Sequence, residues 1–174
     1  MDIRFDRLTN PTPEIAAAFT KWENDPALVY LTRPNNNQAD LERKTTITPE
    51  ELYLRIKHNH LYLIYLNDQL AGEMSFQLDP QHLYKKEPGT AWVGITIGEE
   101  TARGKGLGTF AMQHLENEIR MAGCQRIELG VFEFNTLAQK LYKKMGYTEI
   151  AQVPNFTFWQ NKMWNDIRME KYLE

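Results

Sequence analysis

At 174 residues, with 42% hydrophobic and 25% charged residues, the chain has the size and composition of one globular domain, 1–174, with a real core. Net charge is −3 with both signs interspersed, and no block of Lys and Arg marks a nucleic-acid footprint, so nucleic-acid binding is excluded as the main role. One cysteine excludes a disulfide framework and a multi-cysteine metal site, and no apolar stretch approaches membrane-spanning length. Met1-Asp2-Ile3-Arg4-Phe5-Asp6 has no apolar h-region; the expectation is a cytoplasmic protein without a membrane partner.

In chain order, residues 2 to 8 alternate as a first strand and residues 12 to 24 read as a helix broken at Pro26. Residues 32 to 47, with Pro34-Asn35-Asn36-Asn37, read as a polar loop. Thr48-Pro49-Glu50-Glu51 opens a helix with a capping box and a proline at the first position; that helix ends near Asn59. His60 to Leu66 and Gln69 to Leu78 are two strands around Asn67-Asp68, a hairpin signal. Residues 79 to 89 read as a loop.

Thr90 to Ile97 reads as a buried strand, and Arg103-Gly104-Lys105-Gly106-Leu107-Gly108 follows as a glycine-rich loop. Leu107, Ala111, Leu115 and Ile119 then recur every four residues on one helical face. Three glycines let backbone amides converge on one point, and the helix N-terminus beyond, with Thr109 in its first turn, favours an anion there. Arg103 and Lys105 read as mobile positive charge. Neither the P-loop nor the dinucleotide fingerprint is present, and glycine spacing by itself equally describes an ordinary strand-to-helix turn.

Gly123 stops the helix, Gln125 to Phe132 alternates like a strand, and Asn135 caps a short helix with Leu137, Ala138, Leu141, Tyr142 and Met145 on one face. Gly146 ends it. Tyr147 to Val153 and Lys162 to Tyr172 read as two strands separated by the aromatic segment Pro154 to Gln160. The order is β-α-α-β-β-β-α-β-α-β-β, a mixed α/β sheet with helices on its faces.

The segment from Glu99 to Met112, followed by Arg126 to Tyr147, resembles the GNAT superfamily of N-acetyltransferases, and within it the branch of ribosomal-protein N-terminal and spermidine acetyltransferases. Loop, asparagine, tyrosine and Gly-Tyr end occur in the family's order over residues 91 to 149. The resemblance implies a mostly antiparallel central sheet with helices on both faces. It implies acetyl-CoA as co-substrate, its pyrophosphate on residues 103–109: Arg103, Gly104, Lys105, Gly106, Leu107, Gly108 and Thr109. It further implies pantetheine against Ile95, Thr96 and Ile97, and a contact at Asn135. Tyr142 sits where the family's leaving-group tyrosine sits; from spacing alone it reads as a core aromatic beside Leu141.

An amine acceptor must lose a proton, so a carboxylate is expected nearby. Many relatives carry a glutamate on the strand before the loop, and residues 90 to 97 contain no acid. Glu73, Glu99, Glu128 and the Glu23/Asp25 pair are the candidates, with water as the alternative. Glu73, mid-strand among apolar neighbours, is the first choice, while Glu128 reads as a solvated strand edge. No histidine cluster has metal-ligand spacing, and Cys124 reads as a packing residue without an activating base.

The acceptor pocket is expected from residues 22 to 33, the 79–89 loop and Phe156-Thr157-Phe158-Trp159. Aromatics with nearby acids suit a cationic amine; the same aromatics would equally cover the sheet or form a homodimer contact. The expected activity is acetyl-CoA-dependent transfer to a primary amine of a peptide, polyamine, amino acid or aminoglycoside, in one direct step. The alternatives are a non-catalytic acyl-CoA-binding sensor and a phosphate-binding domain for another nucleotide.

Overall fold

The computed structural model describes residues 1 to 174. Seven strands form one sheet in the spatial order β1-β2-β3-β4-β5-β7-β6: β1 (Ile3–Arg7), β2 (His60–Leu66), β3 (Gln69–Leu78), β4 (Thr90–Ile97), β5 (Arg126–Phe132), β6 (Thr148–Trp159) and β7 (Lys162–Tyr172). Every neighbouring pair is antiparallel except β4 and β5. That one parallel pair needs a crossover, supplied by α5 (Leu107–Met121).

Strand alternation sorts the sequence into two faces. Tyr62, Ile64, Met74, Phe76, Val93, Ile127, Leu129, Val131 and Met169 share one buried cluster with Leu107, Ala111, Met112, Leu115 and Ile119 of α5. Each large side chain there gains roughly 1.5–3 kcal/mol on burial. Ala138, Tyr142 and Met145 of α6 (Thr136–Lys144) and its cap lean on the same cluster. On the other face, Leu61 and Leu63 meet Ala16, Phe19 and Trp22 of α1 (Pro13–Glu23) and Leu52 of α4 (Pro49–His58). Glu73, Trp92, Thr96, Glu128, Asp166 and Arg168 therefore lie on the α1/α4 face, between residues that enter the α5 cluster.

Local chemistry sets the boundaries. Thr12 and Thr48 accept from the amides of Ile15 and Glu51 and cap α1 and α4, each followed by a proline at the first turn. Asn67 and Asp68 both take positive φ, which gives the tight hairpin turn between β2 and β3. Two expectations change. The polar stretch after α1 is framed by short helices α2 (Val29–Thr32) and α3 (Gln38–Glu42), the latter capped by Asn37. The aromatic segment 154–160 does not separate β6 from β7: β6 runs on to Trp159 through an irregularity between Val153 and Thr157. Gln160 and Asn161, both at positive φ, make the turn instead. No helix is long and apolar enough to cross a membrane.

Candidate active site

The parallel pair β4/β5 holds together only at its start: Thr90, Ala91 and Trp92 pair with Arg126, Ile127 and Glu128. Beyond Trp92 the strands diverge, although β4 stays paired with β3 as far as Ile97. A cavity of about 510 Å³ fills the divergence. Val93 to Thr96 line it from β4, and Gly130 to Phe132 from β5. Asn135, Ala138 and Tyr142 close it on the α5/α6 face, while Glu73, His82, Phe156, Asp166 and Arg168 close it on the other.

A smaller cavity of about 180 Å³ adjoins it, lined by Phe19, Trp22, Glu23, Thr32, Arg33, Arg55, Glu73 and Thr96. Glu73 and Thr96, cross-strand partners in register, line both spaces. Glu73 is thus the carboxylate at the junction. Burial pushes it up from the ordinary 4.5 to about 7, against the pull of the Arg55 cation and of the polar Thr96 side chain opposite; the neighbouring Glu23 pushes the same way as burial. It therefore exchanges a proton near neutrality.

Tyr142 faces the larger cavity from α6, beside Tyr147 at 5.9 Å between ring centroids. Burial raises its phenol to about 12, so it remains a proton donor at neutral pH. Asn135 caps α6 by accepting from the Ala138 amide at 3.3 Å and lines the cavity at the same time.

The glycine loop lies outside both cavities, at the start of α5. Gly104 and Gly106 take φ of +72° and +78°, a region that favours glycine. The amides of residues 104 to 108 donate to no other protein group, and Gly106 caps α5 without a side-chain bond. Unpartnered amides at a helix N-terminus favour an anion there. A Cβ on Gly108 would come within 3.0 Å of Leu141 Cδ2, so this glycine lets α5 and α6 approach closely. Leu107 is buried, so only its backbone can serve a ligand, and the Thr109 amide already donates to the Gly106 carbonyl. Lys105 is exposed.

The expectation for Arg103 changes. Its guanidinium donates to the carbonyls of Ile97 (3.2 Å) and Gly98 (2.9 Å) and sits 3.6 Å from Asp25. It fastens the loop to the end of β4 rather than supplying mobile charge. Ile97 lines neither cavity, in contrast to Ile95 and Thr96.

Two candidate bases are removed by their partners. Glu99 takes hydrogen bonds from Lys21 (2.7 Å) and Trp22 Nε1 (2.9 Å), which hold it below the usual carboxylate range. Glu128 is no solvated edge: it is fully buried and accepts from Arg126 (2.8 Å) and from the amides of Tyr84 (2.7 Å) and Lys85 (3.1 Å). Its strand is interior, paired to β4 and β7, and the 79–89 loop covers the face on which its side chain lies. Of the Glu23/Asp25 pair, Glu23 is held by both nitrogens of the Arg55 fork, at 2.9 and 3.2 Å.

The segments expected to form the acceptor pocket contribute in part: Trp22, Thr32 and Arg33 line the two cavities, with only His82 from the 79–89 loop and only Phe156 from 156–159. Trp159 does not; it stacks on Tyr30 at 4.8 Å. Arg55, Asp166 and Arg168 were not expected. Asp166, Arg168 and Glu170 alternate with Ile167 and Met169 along β7, a charged stripe that signals a strand with a polar buried face. Arg55 gives no comparable signal, since its place depends on how α4 crosses α1.

Comparison with known proteins agrees with this architecture. A family model described as "Acetyltransferase (GNAT) family" matches residues 16–147. The Bacillus subtilis N-acetyltransferase YycN is 30% identical over 69% of this chain and 85% of its own length. YdgE, another N-acetyltransferase of that organism, is 37% identical over 53% of this chain, a match spanning 58% of YdgE. In fold, the acetyltransferase yncA of Salmonella typhimurium, solved with its cofactor acetyl-CoA, superposes with a TM-score of 0.74 at 19% identity, covering 100% of this chain and 95% of that one. The spermidine N-acetyltransferase of Vibrio cholerae, solved with CoA and spermine, does so at 0.74 and 14%, covering 98% and 95%. The fold and the sequence match together make this chain a member of the GNAT family of acetyltransferases.

Proposed function

We propose that the protein transfers an acetyl group from acetyl-CoA to a primary amine in a single direct step, with Glu73 as base and Tyr142 as proton donor to the departing sulfur. One observation carries this reading: the Glu73 carboxylate and the partly buried Tyr142 phenol line the same cavity, on opposite faces of the diverging strands.

Acetyl-CoA supplies an activated acyl group as a thioester. The five partnerless amides of residues 104–108 suit its pyrophosphate, and the unpaired length of β4 at Ile95 and Thr96 suits an extended pantetheine arm. Asn135 faces the same space. The acceptor enters from the α1/α4 face, where Trp22, Phe19 and Phe156 offer aromatic surface and Glu73 and Glu23 offer negative charge. An ammonium with reference pKa of about 10 must be neutral to attack; Glu73, near 7, takes that proton directly or through one water. A backbone N–H at the free edge of β4 is suited to the charge that develops on the acyl oxygen.

As the C–S bond breaks, Tyr142 gives its proton to the sulfur, and the phenolate takes up the proton that the acylated nitrogen sheds, which restores the phenol. A free thiol has pKa of about 8.5, below a phenol at about 12. Burial raises the proton affinity of a thiolate in the same cavity for the same reason as that of the phenol, so the gap between them stays close to its value in water.

Calorimetric titration with acetyl-CoA, followed by thiol release on adding spermidine, glycine or an alanine-initiated peptide, tests the reading. Micromolar acetyl-CoA binding, amine-dependent thiol release, and a loss of about a hundredfold in Glu73→Gln are expected. Binding without thiol release for any amine would favour an acyl-CoA sensor; absence of binding would overturn the site altogether.

A further inference from the structure

Three ionisable side chains from three elements meet at the smaller cavity: Glu23 at the end of α1, Arg55 in the last turn of α4, and Glu73 in the middle of β3. Arg55 and Glu23 form a two-pronged pair, Nη1 to Oε2 at 2.9 Å and Nη2 to Oε1 at 3.2 Å, with both side chains about one-third exposed. Glu73 has no such partner. We propose that the Arg55–Glu23 pair positions charge beside Glu73 and so sets the pH at which that carboxylate gives up its proton. The proposal's catalytic meaning rests on Glu73 being the base; the electrostatic coupling does not.

The remaining charges facing Glu73 leave this pair as the adjustable one. Thr96 on β4 contributes a hydroxyl, and Leu63 opposes Glu73 from β2 with no charge at all. Arg33 lines the same cavity as a second cation; Asn35 Oδ1 and the Asp40 carbonyl hold its guanidinium in place, so its charge is a fixed background common to every variant below. Across the larger cavity, Asp166 and Arg168 neutralise each other at 2.8 Å. His82 is pushed down by burial and the Arg168 cation, and Tyr142 stays protonated. Glu51 lies 3.8 Å from Arg55 but is nearly half exposed, where water screens it.

The pair acts with opposite signs. Arg55 favours ionised Glu73 and Glu23 opposes it, so the intact pair presents Glu73 with a dipole rather than a net charge. A bidentate fork fixes that dipole in direction, which a lysine would do less well. Removing one partner uncovers the other.

The test is a ¹³C NMR titration of the full chain carrying labelled glutamate, with the Glu73 carboxyl assigned by its loss in Glu73→Gln. Arg55→Met should raise the proton affinity of Glu73 by about tenfold, and Glu23→Gln should lower it by a similar factor. The double variant should return close to wild type, and Arg55→Lys, which keeps the charge, should stay near it. A merely structural pair would give a different pattern: both single variants shifting Glu73 the same way as the cavity opens to water, or neither shifting it. Either result overturns the proposal. Thiol release from acetyl-CoA with spermidine as probe amine is measured in parallel; undiminished release in Glu73→Gln would overturn the role of Glu73 as base while the NMR midpoints still decide the coupling.

Discussion

The two ends of the β4/β5 pair carry the same residue types and do opposite things with them. At the paired end, Glu128 is fully buried and saturated: Arg126, two loop amides and, at 3.6 Å, Arg168 surround it. Arg126 goes on to Glu170 at 2.8 Å and to the Lys85 carbonyl, and Lys85 to Glu170 at 2.7 Å, so the 79–89 loop is pinned against the sheet. At the open end, Glu73 has one hydroxyl and a cation already committed elsewhere. Burial that is matched by donors gives an anchor; burial that is under-matched gives a carboxylate that titrates near neutrality. Glu128 is also the deeper of the two, since Glu73 is only partly buried and lines two cavities; the count of donors fixes the one and leaves the other free to titrate.

The largest effect should come from breaking the anchored end. Glu128→Ala leaves the Arg126 and Arg168 guanidinia facing each other with less compensating charge, at a cost of about 3–5 kcal/mol. Urea unfolding followed by circular dichroism measures it. A loss below about 1 kcal/mol would mean that Glu170 and Asp166 suffice, and the contrast between the ends would be one of position only.

A smaller effect sharpens the open end. Tyr142→Phe removes a hydroxyl from the cavity and keeps the ring that packs against the core cluster. Turnover should fall by about ten- to a hundredfold, roughly 1.4–2.7 kcal/mol, with acetyl-CoA affinity nearly unchanged by calorimetry. Equal losses in both quantities would make Tyr142 a binding residue, and no loss in either would return it to the core.

Much of this contrast was within reach of the sequence, and the missing part has a physical reason. The two carboxylates look alike in one dimension: Glu73 and Glu128 each sit mid-strand between apolar residues. Local spacing placed Asn135 at a cap, the glycines at the start of α5 and the hairpin at Asn67-Asp68, because each needs only neighbours in the chain. Arg126 is two positions from Glu128, but the two loop amides that complete its coordination come from 43 and 44 positions away, and Glu23 meets Arg55 across 32. Such pairings are set by how elements cross. Arg103 shows the same limit: its motif position was legible, but not that its guanidinium turns back to Ile97 and Gly98.

The open end also carries a pH-dependent stability signature. Glu73 titrates near 7 in the folded chain and at its ordinary 4.5 when unfolded. Below pH 4.5 both states hold the proton and the group costs nothing. Between 4.5 and 7 the unfolded chain releases it while the folded chain keeps it, so stability falls as pH rises. Above 7 both are ionised and the full cost of a buried anion remains. The whole shift corresponds to about 3 kcal/mol; Glu73 opens on two cavities, and whatever part of that cost water recovers narrows the pH window above 4.5 by the same proportion. Glu73→Gln should therefore melt with the wild type at pH 4.5 and above it at pH 8, with the gap opening between those values. A gap that is constant across pH would mean that glutamine merely packs better, and a carboxylate that costs nothing on burial would not differ from Glu128 at all.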